Sequence, residues 1–208
     1  NLYRYTAMKD LKKTLTIIPA KGTSTRLKRK NMKLLGGKPL LHYTISTALN
    51  SGLCGTVMVS TEDQEIAEYA RNEGAEVPFL RPEHLSYDPC QVSDVCLYVL
   101  EEYKKRKEEY DTLIILLPTS PFLNIQHISE AADIFRKNDG KFLMSVSRMD
   151  PHYYNALEFD KTHTTLKRLY DHAKTCQKPT PVRCNGAVTI VDVRSFVEAG
   201  TYYGTPLL

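Results

Sequence analysis

The chain has 208 residues, 42% of them hydrophobic, which is enough to bury one good-sized core and too few for a string of domains. Its formal net charge of +4 is small and dispersed, so it suits an anionic small molecule and argues against nucleic acid. The longest apolar run, Leu113 to Leu117, falls far short of the roughly 20 residues a membrane span needs, so no membrane partner is expected.

Met8 reads as the native start, which sets residues 1–14 aside as a remnant and N-terminal extension and assigns 15–208 to a single domain. Leu15 to Ile18 is a short apolar, β-branched run ended by Pro19, the pattern of a buried first strand. A polar, basic loop follows from Lys21 to Asn31. Leu40, Leu41, Ile45, Ala48 and Leu49 then recur at helical spacing, closed by Gly52. Thr56 to Ser60 is the second strand, and Thr61-x-x-Gln64 has capping-box spacing for a helix carrying Ile66, Ala67 and Ala70. Gly74 ends that helix, and Ala75 to Leu80 reads as a third strand.

Val92, Val95, Cys96, Val99, Leu100 and Tyr103 keep a three-four rhythm and predict an amphipathic helix. Its basic end, Lys104 to Lys107 followed by Glu108 and Glu109, reads as solvated surface. Leu113 to Leu117 is the central strand, Ile128, Ala131, Ala132 and Phe135 mark the next helix, and Phe142 to Val146 the next strand. From Asp150 to Arg183 the alternation breaks down, with short extended candidates at Ala156 to Phe159 and at Thr165-Leu166, as in an inserted arm. Regular structure returns with Ala187 to Val191 and a helix near Arg194 to Ala199. Strand–helix alternation of this kind predicts an α/β fold, a three-layer, mostly parallel sheet of Rossmann-like type, with ligands beyond the carboxyl ends of the strands.

The strongest chemical signal is the loop Pro19-Ala20-Lys21-Gly22-Thr23-Ser24-Thr25-Arg26-Leu27-Lys28-Arg29-Lys30-Asn31, at the mouth of the sheet. Lys21, Arg26, Lys28, Arg29 and Lys30 are cationic. A glycine and hydroxyl residues permit close approach of the backbone, so the loop suits a polyphosphate better than it suits bulk water. No Gly-x-Gly-x-x-Gly follows the strand, and Gly36-Gly37-Lys38 precedes Pro39 instead of Ser or Thr, so neither a dinucleotide fingerprint nor a Walker loop is present. The six histidines show no His-x-x-x-His spacing. Five cysteines without a Cys-x-x-Cys pair predict reduced thiols in a soluble, cytoplasmic protein. Asp88, Asp94 and Asp192 read as helix caps or surface charges, His152 and His172 as surface residues of the arm, and Tyr153 and Tyr154 as packing or dimer contacts.

This loop resembles the Pro-Ala-Arg-Gly-Gly-Ser-Lys-Arg … Lys-Asn signature of acylneuraminate cytidylyltransferases, the CMP-sialic acid synthetase family. Gly37-Lys38-Pro39-Leu40, Val59-Ser60-Thr61-Glu62-Asp63, Glu65-Ile66-Ala67, Gly74 to Pro82, Leu116-Leu117-Pro118-Thr119-Ser120-Pro121 and Arg183-x-Asn185-Gly186-Ala187 agree in order and spacing. The resemblance implies transfer of CMP from CTP to a nine-carbon acidic α-keto sugar of the sialic, legionaminic or pseudaminic acid type, with pyrophosphate released and Mg²⁺ required. It implies that Ala20, Lys21, Gly22, Ser24, Arg26, Lys30 and Asn31 hold the nucleotide, with Lys30 and Lys21 catalytic. Arg81 would fix the cytosine end, and Arg183 and Asn185 would face the sugar. It also implies a homodimer built through the arm at about 150–183.

The chain departs from the family pattern at several points. Lys21 stands for the usual Arg, Thr25 for a Lys, Leu117 for a Gln that reaches the substrate, Leu123 for an Arg, and Val92 for a hydroxyl residue. Lys28 and Arg29 lie close enough in sequence to replace the charge lost at Thr25. The family's metal-binding Asp-x-Asp would follow Leu208, which reads as a C-terminal truncation and leaves the metal ligands unknown. Leu117 and Leu123 keep open a nucleotidyltransferase for the eight-carbon sugar Kdo or a sugar phosphate. The substituted positions keep open a non-catalytic nucleotide-binding homologue.

Overall fold

The computed structural model describes residues 13–24, 26–150, 156–160, 162, 164–168 and 180–208. Contacts divide the chain into two units, one of residues 1–144 with 186–208 and one of residues 145–185.

The larger unit is organised by period-two burial in three short strands. In β1 (Thr14–Pro19), Leu15 and Ile17 face one side and Ile18 the other. In β4 (Thr56–Ser60), Val57 and Val59 oppose Met58, and in β5 (Thr112–Ile115), Ile114 opposes Leu113 and Ile115. Successive side chains of a strand point to opposite faces, so apolar residues at every position demand cover on both sides.

The helices supply that cover. On the first face lie α1 (Leu40–Ser51) with Leu41, Ile45 and Ala48, α2 (Gln64–Asn72) with Ile66, Ala67 and Ala70, and α4 (Ile125–Lys137) with Ile128, Ala132 and Phe135. On the second face α3 (Val92–Lys105) packs through Cys96, Val99 and Tyr103, and α5 (Val193–Ala199) through Phe196. Leu49, expected on the inner face of α1, is exposed. No described helix is long and apolar enough to cross a membrane.

The strand order is β4-β1-β5-β9-β6, with β6 spanning Phe142–Arg148 and β9 Val182–Asp192. β1 pairs in parallel with β4 and β5, as the alternation predicts. β9 pairs antiparallel to β5, with Thr112 opposite Asp192 and Ile115 opposite Thr189, so the sheet is mixed. Two other expectations are corrected. The residues expected as a strand at 75–80 reduce to one bridge between Glu76 and Met58, because Pro78 has no N–H with which to continue a ladder. The cap of α2 is Asp63, whose carboxylate accepts from Ile66 N at 3.1 Å, while the Thr61 hydroxyl accepts from Asp63 N.

The smaller unit holds an antiparallel hairpin of β7 (Leu157–Asp160) and β8 (Thr165–Arg168), with Leu157 opposite Arg168 and Asp160 opposite Thr165. It falls within the stretch expected as an arm. In the larger unit β2 (Leu34–Leu35) and β3 (Lys38–Pro39) form an antiparallel pair just after the basic loop. His152, Tyr153, Tyr154 and His172 lie outside the described residues.

Gly55 has a φ of 55°, and a Cβ there would lie 2.2 Å from the Thr14 carbonyl oxygen. Gly52 has a φ of 66° with open space around it. Gly55→Ala should therefore cost about 3 kcal/mol or more, and Gly52→Ala only about 1 kcal/mol. Urea unfolding of the two variants measures the difference, and equal costs would show that β1 and β4 yield easily at this crossing.

Candidate nucleotide-binding cleft

β1, β4 and β5 run in parallel, so their carboxyl ends open at one edge of the sheet, and there the chain forms a cleft of about 310 Å³. Pro19 and Lys21 reach it from the end of β1, and Leu117, Pro118 and Thr119 from the end of β5. Ser24, Arg26, Lys30 and Asn31 line it from the basic loop, Arg81 and Leu85 from the segment after α2, and Cys90, Gln91, Val92 and Val95 from the start of α3.

The loop is pinned at both ends. Ala20 is fully buried and its N–H donates to Ser60 O, which extends the β1–β4 pairing by one residue. The Asn31 amide, 4% exposed, donates to Lys21 O at 2.9 Å, closing a ten-residue loop across its base. Lys21 Nζ donates to Ser86 O at 3.1 Å, and the Thr23 hydroxyl reaches the same oxygen. A tight turn at Lys30–Met32, entered through Arg29 with a φ of 52°, brings Lys30 back to the cleft.

Glu62 organises the rest. Its Oε1 accepts from Gly22 N at 2.8 Å and from Thr23 N at 3.2 Å, and its Oε2 accepts from Arg81 Nη2 at 2.7 Å. Arg81 and Glu62 have side-chain exposures of 4% and 10%, so the pair is largely withdrawn from water. Burial alone would raise the Glu62 carboxyl. The Arg81 guanidinium and the backbone N–H groups on its other oxygen overcome that and hold it at about 2, below the ordinary 4.5.

The cleft itself is cationic without an acid. None of its lining residues is Asp or Glu. Burial pushes the Lys30 ammonium below its ordinary value, and the charges of Arg26 and Lys21 push it further in the same direction. Three like charges held around one space make a strong site for a polyanion.

Of the residues singled out in the sequence, Lys21, Ser24, Arg26, Lys30, Asn31 and Arg81 line this cleft together. Ala20 and Gly22 do not. Ala20 belongs to the core, and the Gly22 N–H is taken by Glu62. Gly22 is needed for packing instead, since a Cβ there would lie 2.4 Å from Asp63 Oδ2. Lys28 and Arg29 are not in the lining, and Arg29 is paired with Asp63 and Glu65, so neither replaces a charge at Thr25, itself outside the described residues. Among the departures, Leu117 and Val92 line the cleft, whereas Leu123 is buried in the core beneath α1 and α4.

Arg183 and Asn185 lie in the smaller unit, both exposed. Asn185 bridges Ser145 and Ser147, accepting from the first at 2.6 Å and donating to the second at 3.0 Å. Asp94 is the third residue of α3 and accepts from Gln91 N, and Asp88 is exposed. Asp192 caps α5 opposite Thr112, at the sheet end away from the cleft. Leu85, Cys90, Gln91 and Val95 were missed as lining residues. Of that set only Val95 left a trace in the sequence, where it reads with Val92 as helix core.

This mixed α/β sheet, with ligand-sized space beyond its parallel strands, is shared by solved structures of cytidyl-transferring enzymes. The solved structure of a CMP:2-keto-3-deoxy-manno-octonic acid synthetase complexed with CTP shares it at a TM-score of 0.68 and 16% identity, covering 90% of this chain and 77% of that one. A 4-diphosphocytidyl-2C-methyl-D-erythritol synthase superposes at a TM-score of 0.62 and 8% identity, over 95% of this chain and 88% of the other.

The chain belongs to the cytidylyltransferase family, whose model matches residues 15–184. It is 32% identical to the CMP-N,N'-diacetyllegionaminic acid synthase of Legionella pneumophila over 92% of this chain and 83% of the relative. It is 38% identical to the pseudaminic acid cytidylyltransferase of Campylobacter jejuni, over 66% of this chain and 60% of the relative. With the N-acylneuraminate cytidylyltransferase of Escherichia coli the identity is 29% over 92% of this chain, which spans 45% of that enzyme.

The depressed Glu62 carboxyl makes a signed prediction. A group whose pKa falls on folding stabilises the native state above its unfolded value, and that contribution is lost as the pH drops towards the folded value. Glu62 should contribute on the order of 3 kcal/mol at neutral pH, lost between 4.5 and about 2. Urea unfolding of Glu62→Gln and the parent should show a stability gap that closes across that window. A gap independent of pH would mean that the carboxylate charge is not what Arg81 needs.

Proposed function

We propose that this chain transfers CMP from CTP to a nine-carbon acidic α-keto sugar and releases pyrophosphate. The observation that carries it is the convergence of Lys21, Arg26, Lys30, Asn31 and Arg81 on one cleft without a carboxylate, in a chain of the cytidylyltransferase family. The cationic side chains match a triphosphate. The apolar wall of Leu85, Val92, Val95 and Leu117 suits a flat base. Arg81 Nε is buried without a hydrogen-bond partner among the described residues, a donor left over for the base.

In the proposed reaction the anomeric hydroxyl of the sugar attacks the α-phosphorus. The bond from that phosphorus to the α,β-bridging oxygen breaks, and pyrophosphate leaves with the electron pair. The hydroxyl proton passes to solvent. Lys21, Arg26 and Lys30 act by position and charge, since an ammonium or guanidinium fixed beside the phosphates stabilises charge that grows as pyrophosphate departs. Arg183 and Asn185 are assigned to the acceptor, whose carboxylate matches a guanidinium fork.

Mg²⁺ enters only as an expectation of the family resemblance. The residues present do not fit a protein-held site: the cleft lining has no carboxylate, and the described residues contain no group of three or more His, Cys, Asp or Glu able to hold a metal. No step above is assigned to the ion.

The relatives named for nine-carbon sugars match at 32% and 38% identity, against 16% for the Kdo-type synthetase, which favours the longer acceptor. Leu117 in the cleft supports the second reading, a nucleotidyltransferase for Kdo or a sugar phosphate, since it offers no hydrogen bond where the family pattern has a Gln. We also infer a cytoplasmic homodimer. CTP is a cytosolic nucleotide, and the hairpin of the smaller unit exposes Leu157, Phe159 and Leu166, apolar groups that a second copy would cover.

Pyrophosphate release should require CTP together with legionaminic, pseudaminic or sialic acid, and no release with any of them from the full-length protein supplied with Mg²⁺ would refute the proposal. Lys30→Ala should lower turnover by a factor on the order of 10³ with unchanged circular dichroism and Tm; near-normal turnover would remove Lys30 from the mechanism. Light scattering should give twice the chain mass, and Phe159→Glu should shift it towards the monomer.

A further inference from the structure

We infer that Glu62 is a positioning residue, which lets nucleotide affinity depend on a side chain outside the cleft by locking the basic loop and Arg81 into one arrangement. The inference rests on the nucleotide reading of the cleft.

Glu62 is not among the cleft's lining residues, yet each of its oxygens holds a part that is, or that leads there. Oε1 takes the N–H groups of Gly22 and Thr23 and, at 3.3 Å, the Thr23 hydroxyl, which fixes the chain between Lys21 and Ser24. Oε2 takes Arg81 Nη2. Arg81 is tied a second time through its backbone, whose N–H donates to Thr61 O at 2.8 Å, so the guanidinium has little freedom once Glu62 holds it.

The division of labour follows from donor count. The Gly22 and Thr23 amides of the loop would be natural phosphate donors if free, and Glu62 already occupies them. The ligand is then left to the side-chain cations, whose placement depends on the backbone that Glu62 holds. A carboxylate can do this because it has two acceptor oxygens and no donor. A glutamine amide has one of each, so whichever way it turns, either Arg81 or the Gly22–Thr23 amides face an N–H instead of an oxygen. The arrangement is in place before the nucleotide arrives, which removes ordering from the cost of binding.

The test is a double-mutant cycle read by calorimetry with CTP alone, using the parent, Glu62→Gln, Arg81→Gln and the double variant. Glu62→Gln should weaken CTP on the order of ten-fold, raise the KM for CTP, and leave the KM for the acceptor sugar unchanged. The double variant should bind no more weakly than Arg81→Gln by more than about two-fold, since the two residues act as a unit. Glu62→Asp, which keeps both oxygens, should recover part of the affinity, and it decides the matter alone should Glu62→Gln fail to fold. A parent that binds no CTP defeats the nucleotide reading itself. A parent that binds, with Glu62→Gln equal to it or with fully additive losses, overturns the role of Glu62 and leaves the nucleotide reading standing; where Glu62→Gln does not fold, a Glu62→Asp that binds as tightly as the parent does the same.

Discussion

One carboxylate holds the functional edge of this molecule together. Glu62 sits just beyond β4, buried enough that its charge would be costly without compensation, and it is compensated by Arg81 on one oxygen and two loop amides on the other. Removing any partner leaves a buried polar group unmet, so loop, guanidinium and strand end hold or fail together. The cleft is the space these constraints leave open. Among the described residues no carboxylate pairs with Lys21, Arg26 or Lys30, and Glu62 is engaged instead with the backbone and with Arg81.

The sheet makes that edge possible. β1, β4 and β5 are buried on both faces and run the same way, so the backbone groups after each strand meet at one end. There the short polar turns need not continue a ladder and can turn towards solvent. The opposite end is given to caps: Asp192 opens α5 beside the start of β5 and has no path to the cleft. The larger unit thus separates stability from chemistry by the direction of its strands.

Charge in the basic loop is sorted by position. Arg29 is spent on Asp63 and Glu65 at the start of α2, which ties the far side of the loop to the fold. Lys21, Arg26 and Lys30 line one cleft, where the charges of Arg26 and Lys21 add to burial in disfavouring the Lys30 ammonium. Leu117 and Val92 add apolar surface to the same cleft without touching the charges.

Much of this was legible in the chain itself. Apolar periodicity located five helices and the principal strands, because burial on one face or two leaves a direct record in spacing. The motif order and the clustering of cations marked the loop, and five of its proposed contacts, together with Arg81, do meet at one cleft. What escaped depends on groups distant in sequence. Glu62 reads as one more acid before a helix until Arg81 and Gly22 are seen on its two oxygens. Leu123 reads as an altered acceptor contact until it is found under α1. The antiparallel course of β9 has no signature in a run of apolar residues, since either direction buries both faces. Local composition determines which segments form elements and which carry charge; only folding decides which charges are already spent, because pairing is settled by distances that the order of residues does not contain.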